Sequence, residues 1–305
     1  MHIEPVFPVR LVYNRVYMSA VVAMFLSGYC YLAIVITLPE RFQIVNEDSA
    51  LMAGVHLIPM LGATSLGSII AGALSKSKNN TSRTLVAASC LQVIGLGLLT
   101  TFDAPSSPTN PQFGYQAIFG LGVGLTFSSA TILTKIQASG RDHAVAQGVM
   151  AQVRVLGGAL GLVICNVIFN IRLESLEAKL SPQQKDALHR SPMALMDMPE
   201  KDAGVVRDVK EVFSASFQSM VWVMFWVAVA EVVASLCTWE MNPTSLDEID
   251  AAALARARGN HKQDGSRGGS DTELENLPSF RATSHSSTGR KRPPTPSARG
   301  YSSRF

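Results

Sequence analysis

Six long apolar segments, each about the length that an α-helix needs to cross a lipid bilayer, constrain this chain more than any other feature. Lipid offers no hydrogen-bond partner to an open backbone, so only helices of about 20 apolar residues, or closed barrels, can cross it. The sequence therefore predicts an all-α membrane protein with six transmembrane helices bundled over residues 16–241. The segments cover approximately residues 16–38, 50–74, 84–102, 114–133, 144–170 and 217–239.

Basic residues concentrate in every second segment that flanks the spans, and the segments between these carry few or none. Arg10 and Arg15 precede the first span, and further Lys and Arg residues follow the second and the fourth spans. The segment 39–49 carries a single Arg against three acidic residues, and 103–113 has no basic residue. Positive residues near a span are retained in the cytoplasm. We therefore expect cytoplasmic termini, including residues 1–15, and an extracellular loop at 171–216.

Two regions outside the spans show local signals. The extracellular loop is expected to hold two short surface helices, one beginning at Ser181 and Pro182 and one over 202–217, where Val recurs at helical spacing. The cytoplasmic tail, 242–305, contains a capping box that predicts a helix over about 245–258. The rest of the tail is rich in Ser, Gly, Arg and Pro and can bury little apolar surface, so we expect it to be disordered.

Composition and motifs argue against several function classes. Charged residues make up 16% of the chain, against about 25% in soluble domains. The net charge of +3 is dispersed over loops and tail, which argues against a nucleic-acid-binding face. The four cysteines lie in separate apolar segments without metal-type spacing. No catalytic triad or phosphate loop is legible, so we expect no enzyme, no catalytic residue, no metal and no cofactor.

Two charged residues lie inside the spans. Arg154 is about 15 Å from the inner edge of the fifth span, where contact with lipid is costly. It could bind an anionic group of a substrate, regulate a proton site, or clamp carbonyl groups of a neighbouring helix. Glu231 in the sixth span differs from it by about 6 Å in depth. The sequence leaves open a buried ion pair between the two, snorkelling of Glu231 to the interface, and a packing hydrogen bond.

Uncharged polar residues and glycines complete the candidate set. Gln92, Gln152 and Ser128 could line a pathway or could form hydrogen bonds between helices. His56 precedes Pro59, a predicted kink, and could exchange a proton near neutral pH or pack as a neutral ring. Four glycines with small-residue spacing predict close helix packing, with hinging as the alternative: Gly120, Gly124, Gly157 and Gly161.

Six motifs follow one another along the chain. They are Pro8-Val-Arg-Leu-Val-Tyr-Asn-Arg15, the stretch from Tyr31 through Leu38-Pro39 with Phe42-Gln43, Ser49-Ala-Leu-Met-Ala-Gly-Val-His-Leu-Ile-Pro59, Phe119-Gly-Leu-Gly-Val-Gly124, Gln152-Val-Arg-Val-Leu-Gly-Gly-Ala-Leu-Gly161 and Thr238-Trp-Glu-Met-Asn-Pro243. Together they resemble the C-terminal half of a fungal drug:proton antiporter of the major facilitator superfamily, in its fourteen-spanner multidrug and toxin efflux branch.

The resemblance implies a fold and a function. It implies one lobe of a major facilitator fold, built from two three-helix repeats, and proton-driven efflux of small hydrophobic or amphiphilic compounds across the plasma membrane. The implied partners are a small-molecule substrate, protons, the bilayer and a second lobe, supplied by another copy or by a missing N-terminal half. The competing class is a non-transporting truncated membrane protein, or a regulatory or scaffold subunit with a recruiting tail.

Overall fold

The computed structural model describes residues 9–77, 80–101, 110–138, 142–177 and 203–239, together with residue 255. The elements of this part are α-helices, six of which, counting α3 and α4 as one, are long and apolar enough to cross a membrane. The predicted all-α bundle of six spans is confirmed. The helices are α1 Val9–Val12, α2 Arg15–Val45, α3 Ala50–Val55, α4 Ile58–Ser77, α5 Thr81–Leu99, α6 Asn110–Gln137, α7 His143–Glu177 and α8 Ala203–Leu236.

Three helices continue well past the ends that hydropathy suggests. The first span, α2, runs through Pro39 to Val45, and the fifth, α7, runs on to Glu177. The sixth, α8, begins at Ala203, so the separate surface helix expected over 202–217 is instead the first part of this span. Buried residues, Val209 and Phe213 among them, keep the helical period unbroken into the membrane segment. The loop expected at 171–216 is correspondingly shorter.

Three predictions concern segments outside the described residues. They are the surface helix beginning at Ser181, the helix over about 245–258 and the disorder of the tail after it.

The second span is broken at the position where a kink was predicted. Helix α3 ends at Val55 and α4 begins at Ile58, so Pro59 stands in the first turn of α4, where its missing N–H breaks no helical bond. At the break, the backbone N–H of Leu57 donates to the carbonyl of Gly54 at 3.1 Å, a tighter turn than the α-helical one. The proline therefore starts a new helix after the break.

The helix pairings have an internal symmetry. Helix α2 packs on α7 and α4 packs on α6; α5 packs on α6 and α8 packs on α2; α2 also touches α6, and α5 touches α8. Exchanging the first three spans for the last three converts the first pairing into the second and the third into the fourth, and it converts each of the last two into itself. Two three-helix repeats related by a pseudo-two-fold axis produce this pattern.

Glycines close the two corresponding crossings, α4 with α6 and α2 with α7. Gly120 and Gly124 lie on α6, and Gly157 and Gly161 lie on α7. A Cβ atom at any of these four would collide with a backbone carbonyl of the opposite helix. The carbonyls belong to Met60, Thr64, Phe25 and Tyr29, respectively. Since an alanine would push the helices apart, the absence of a side chain sets both helix-to-helix distances.

The spans differ in how much of them the bundle encloses. In α2 and α6, 61% of the residues in the most apolar stretch are buried, against 22% in the second span and in α7. The first and fourth spans thus form the centre of the bundle. The second and fifth spans present most of their surface outward.

Candidate functional site

A buried polar network joins four helices around Glu231. The carboxyl oxygen Oε1 of Glu231, on α8, accepts a hydrogen bond from Nε2 of Gln92 on α5 at 2.7 Å and a longer one from Oγ1 of Thr126 on α6 at 3.4 Å. The amide oxygen of Gln92 in turn accepts from the hydroxyl of Ser27 on α2 at 3.1 Å. All four side chains are fully enclosed. We call these four residues the Glu231 network.

The same seam continues one helical turn away. Ser89 of α5 and Ser235 of α8 share a hydrogen bond of 2.8 Å between their hydroxyl oxygens. Whichever hydroxyl does not donate in this bond can donate to a carbonyl of its own helix, that of Val86 for Ser89 or Val232 for Ser235. Polar contacts between α5 and α8 therefore extend over at least two turns, and they fix the rotation of α8 that turns Glu231 inward.

The two oxygens of the Glu231 carboxyl group face different surroundings. Oε1 is held by neutral donors, whereas Oε2 is buried and has no hydrogen-bond partner among the described residues. A buried carboxylate is costly when only neutral groups compensate its charge. The geometry therefore suits a group that carries a proton on Oε2 and loses it only when water or a cation gains access.

The predicted ion pair between Glu231 and Arg154, one of the alternatives that the sequence left open, does not form in the structure. The Glu231 carboxyl group faces α5 and α6, whereas Arg154, on α7, places its guanidinium carbon 4.8 Å from the centroid of the Phe127 ring on α6. Tyr31 of α2 packs edge-on against the same ring, with 5.4 Å between the centroids. The residues Arg154, Phe127 and Tyr31 are all half-buried. We call them the arginine–aromatic cluster.

The cluster brings a cation and two aromatic rings onto one face. A guanidinium over a ring is stabilised by the ring quadrupole, so Phe127 positions Arg154 without neutralising it. The first, fourth and fifth spans each supply one member of the cluster. An arrangement of this kind can bind an apolar molecule that carries an acceptor or an anionic group.

The other polar candidates lie in separate places. Gln152 is exposed on α7, two residues before Arg154, and Ser128 is half-buried on α6, next to Phe127. His56 lies at the break between α3 and α4, with Nδ1 3.0 Å from a carboxylate oxygen of Asp48. Its ring packs against Phe42 and Phe113. The structure therefore joins Gln92 with Glu231, places Gln152 and Ser128 beside the arginine–aromatic cluster in sequence, and leaves His56 in a local pair.

The sequence analysis did not propose Ser27, Asp48, Tyr31 or Phe127 as site residues. One signal was available for the Glu231 network. Gln92 and Glu231 each lie about 12 Å from the expected inner ends of their spans, Thr84 and Trp239, and so lie at the same depth. Equal depth makes contact between the two polar side chains possible. No comparable signal marks an aromatic residue among the many in a membrane helix.

Comparison with known proteins gives relatives of one kind. No protein-family model matches the chain. It is 31% identical over 243 residues to the MFS-type transporter FPY5 of Fusarium mangiferae, where MFS denotes the major facilitator superfamily, and this match covers 79% of the chain and 40% of the relative. It is 26% identical over 260 residues to the aspyridones efflux protein of Neocamarosporium betae, covering 84% of the chain and 45% of the relative. This chain is a homologue of fungal MFS-type transporters.

A solved transporter structure shares the fold. The crystal structure of a bacterial homologue of the human lysosomal transporter Spinster, inward-facing and unoccupied, superposes with a TM-score of 0.57 at 13% identity, covering 79% of this chain and 53% of that one. The resemblance inferred from the motifs is confirmed for the superfamily. The chain spans less than half the length of the two fungal relatives. Because it has six apolar helices of membrane-spanning length and is homologous to membrane transporters, this chain is a multi-pass integral membrane protein.

Proposed function

We propose that this chain is one lobe of an efflux transporter for small hydrophobic or amphiphilic compounds. The observation that carries the proposal is the arginine–aromatic cluster, a half-exposed cation with two aromatic rings inside the apolar spans. Ionisable groups inside membrane segments usually serve a pathway or a coupling step, because the bilayer makes them expensive to keep. The names of the relatives, an MFS-type transporter and an efflux protein, support the same function.

The proposed substrate path runs along the cluster. Tyr31 and Phe127 offer apolar contact, and Arg154 offers a donor to a carbonyl, hydroxyl or anionic group of the substrate. Ser128, next to Phe127 on α6, extends the polar lining of the path, whereas Gln152, two residues before Arg154, points to another face of α7. A few polar groups among apolar ones are the usual composition of a site for small organic molecules.

Alternating access requires a second lobe, and the least buried spans indicate where it would lie. The second span and α7 leave most of their surface uncovered, and the pseudo-symmetry relates them to each other. We propose that an N-terminal half covers this face, because the fungal relatives are more than twice as long as their matching segments. A second copy of the chain is the alternative arrangement.

We propose further that transport is coupled to protons through Glu231. Its free oxygen Oε2 can take a proton while Oε1 stays bonded to Gln92, so protonation does not require the network to break. Deprotonation would leave a poorly compensated charge between α5, α6 and α8 and would favour a conformation that admits water. His56 and Asp48 form a local pair near the α2–α3 connection, to which we assign a structural role.

We propose that the protein resides in the plasma membrane with both termini in the cytoplasm. The short basic segments 76–83 and 135–141 support this orientation, because positive residues near a span are retained on the cytoplasmic side. Attachment of a glycan at Asn79 or Asn80 in a eukaryotic host would contradict this orientation, because both lie in such a segment.

Transport by the purified chain tests the proposal. The full chain is reconstituted into liposomes with an imposed pH gradient, alone and together with the part of the relative FPY5 outside the match, which would supply the second lobe. The flux of a lipophilic fluorescent dye is measured for wild type, Arg154→Ala and Arg207→Ala. Arg207 is exposed near the start of α8, so its replacement removes the same charge away from the cluster. We expect flux in wild type and Arg207→Ala and a loss in Arg154→Ala. Flux no greater than through protein-free liposomes in every case contradicts the proposal and favours the non-transporting alternative.

A further inference from the structure

A pocket lies between the first, fifth and sixth spans, away from the arginine–aromatic cluster. Its volume is about 240 Å³, and the C-terminal part of α2, the second half of α7 and the first half of α8 form its walls. Its first lining residue on α7, Leu162, is about 12 Å along the helix from Arg154. The described residues that line it all belong to this lobe, and the pocket is partly open to the outside of the bundle.

Aromatic rings form much of the pocket wall. Phe169 of α7 and Phe213 of α8 line it and pack edge to face, with 5.2 Å between the ring centroids. Phe217, one turn after Phe213, adds a third ring. Faces and edges of such rings give an apolar ligand a shaped surface, and the ring faces attract cations in particular.

The polar part of the lining carries a negative charge. Glu40 lines the pocket together with the neutral side chains of Thr37 and Asn166. Within the part of the chain that the structure describes, Glu40 forms no ion pair or hydrogen bond through its carboxylate. An exposed carboxylate near the end of a membrane span, at the edge of an aromatic cavity, can attract a cation supplied from outside.

The neighbouring cations do not fill this role. Arg41 follows Glu40 but is buried, with its guanidinium carbon 5.2 Å from the centroid of the Phe217 ring, and it is not among the lining residues. Arg172 donates to the hydroxyl of Ser219 at 3.1 Å, across from α7 to α8, and does not line the pocket either. Each is engaged elsewhere, so neither arginine neutralises the charge that Glu40 contributes to the pocket lining.

We infer that this pocket binds a small organic cation, an ammonium group carried on an aromatic or alkyl body. The carboxylate of Glu40 would attract the ammonium group, the phenylalanine rings would contact its methyl groups and its body, and Asn166 would accept or donate a remaining hydrogen bond. A hydrated metal ion does not match walls of this apolar character, and an anion would be repelled by Glu40. The site goes beyond the transport proposal and does not depend on it.

Binding of benzyltrimethylammonium to the full chain in detergent tests the inference. Equilibrium dialysis with the radiolabelled cation measures affinity and stoichiometry, and benzylsulfonate, of similar shape and opposite charge, serves as the control ligand. We expect one cation bound per chain, and benzylsulfonate binding at least tenfold weaker. Glu40→Gln should weaken cation binding at least tenfold, because it removes the charge and keeps the shape. Glu174→Gln, an exposed carboxylate of α7 outside the pocket, should change it less than twofold.

A second variant separates the pocket from general charge effects. Ile36 lines the pocket, so Ile36→Trp narrows it while keeping Glu40, and we expect a loss of binding comparable to that of Glu40→Gln. Size-exclusion profile and helical circular dichroism verify that each variant is folded. Equal affinity for benzylsulfonate, an undiminished affinity in Glu40→Gln, or wild-type affinity in Ile36→Trp would overturn the assignment. These binding measurements test the pocket alone, because the proposed transport function is tested separately by the dye flux of the Arg154→Ala variant.

Discussion

The Glu231 network and the arginine–aromatic cluster each place one ionisable group inside the membrane spans, yet the bundle treats the two groups differently. Glu231 is fully enclosed between α5, α6 and α8 and is bound by Gln92 and Thr126. Arg154 is half-buried and rests on the ring of Phe127. Depth in the membrane alone therefore does not determine what an ionisable residue does in this protein. Enclosure ties Glu231 to the fold and its conformational state, whereas exposure leaves Arg154 free to meet a ligand.

The largest effect on stability is expected from Glu231→Ala. The change leaves donors of Gln92 and Thr126 unsatisfied and opens a cavity, so it should lower the free energy of unfolding by about 3 kcal/mol. Glu231→Gln keeps the shape and one acceptor and should cost less than about 1 kcal/mol. Unfolding in mixed detergent micelles, followed by circular dichroism, measures both. Equal losses in the two variants would show that the polar contacts of the network contribute nothing.

A smaller loss is expected from Gln92→Leu. This variant removes the bonds from Gln92 to Glu231 and to Ser27 but supplies an apolar side chain of similar volume, so we expect a loss of about 2 kcal/mol. In a double variant with Glu231→Leu, the loss should be smaller than the sum of the two single losses, because both polar partners are gone. Strict additivity would mean that the two residues do not interact.

The glycine crossing beside the cluster is expected to tolerate little. A Cβ at Gly28 would meet the backbone of Arg154, so Gly28→Ala should separate α2 from α7 and cost about 1 to 2 kcal/mol. Gly148→Ala is the matched control, because a Cβ there meets no atom within 4 Å. Thermal unfolding of the two variants compares them. If Gly148→Ala is destabilised and Gly28→Ala is not, the close packing of α2 on α7 does not depend on the glycine at position 28.

The smallest effect on stability is expected from Arg154→Ala. The half-buried guanidinium makes one cation–π contact with Phe127, so the free energy of unfolding should fall by less than about 1 kcal/mol. Dye flux should nevertheless be lost, because the proposed contact to the substrate is gone. If Arg154→Ala unfolds the protein as severely as Glu231→Ala does, Arg154 is a structural clamp, and the contrast between the two regions disappears.

The sequence predicted the bundle well and the contacts across it poorly, for a physical reason. Lipid requires every span to satisfy its own backbone, and this requirement shows directly in the apolar segments. Depth follows from 1.5 Å per residue, so the positions of Arg154 and Glu231 along their helices could be estimated. The rotation of each helix about its own axis depends on its neighbours. For that reason the Arg154–Glu231 pair remained open and proved wrong.

Helix ends were harder to predict than helix centres. The surface helix expected over 202–217 is part of α8, because its buried face continues in register with the span and no breaker separates them. The break before Pro59 was expected as a kink, since proline removes one helical hydrogen bond. Its extent, from Val55 to Ile58, depends on the local turn at Gly54 and Leu57, which hydropathy does not encode.

Water accessibility of the two positions tests the central contrast most directly. Arg154→Cys and Glu231→Cys are introduced separately into a chain whose four native cysteines have been replaced by alanine. Each variant is then treated in lipid with a charged, membrane-impermeant thiol reagent. We predict modification at position 154, slowed by bound dye, and modification at least tenfold slower at position 231, which only the water-admitting conformation exposes. Equal rates at the two positions, or a position 154 that reacts only with a lipid-soluble reagent, would contradict the contrast.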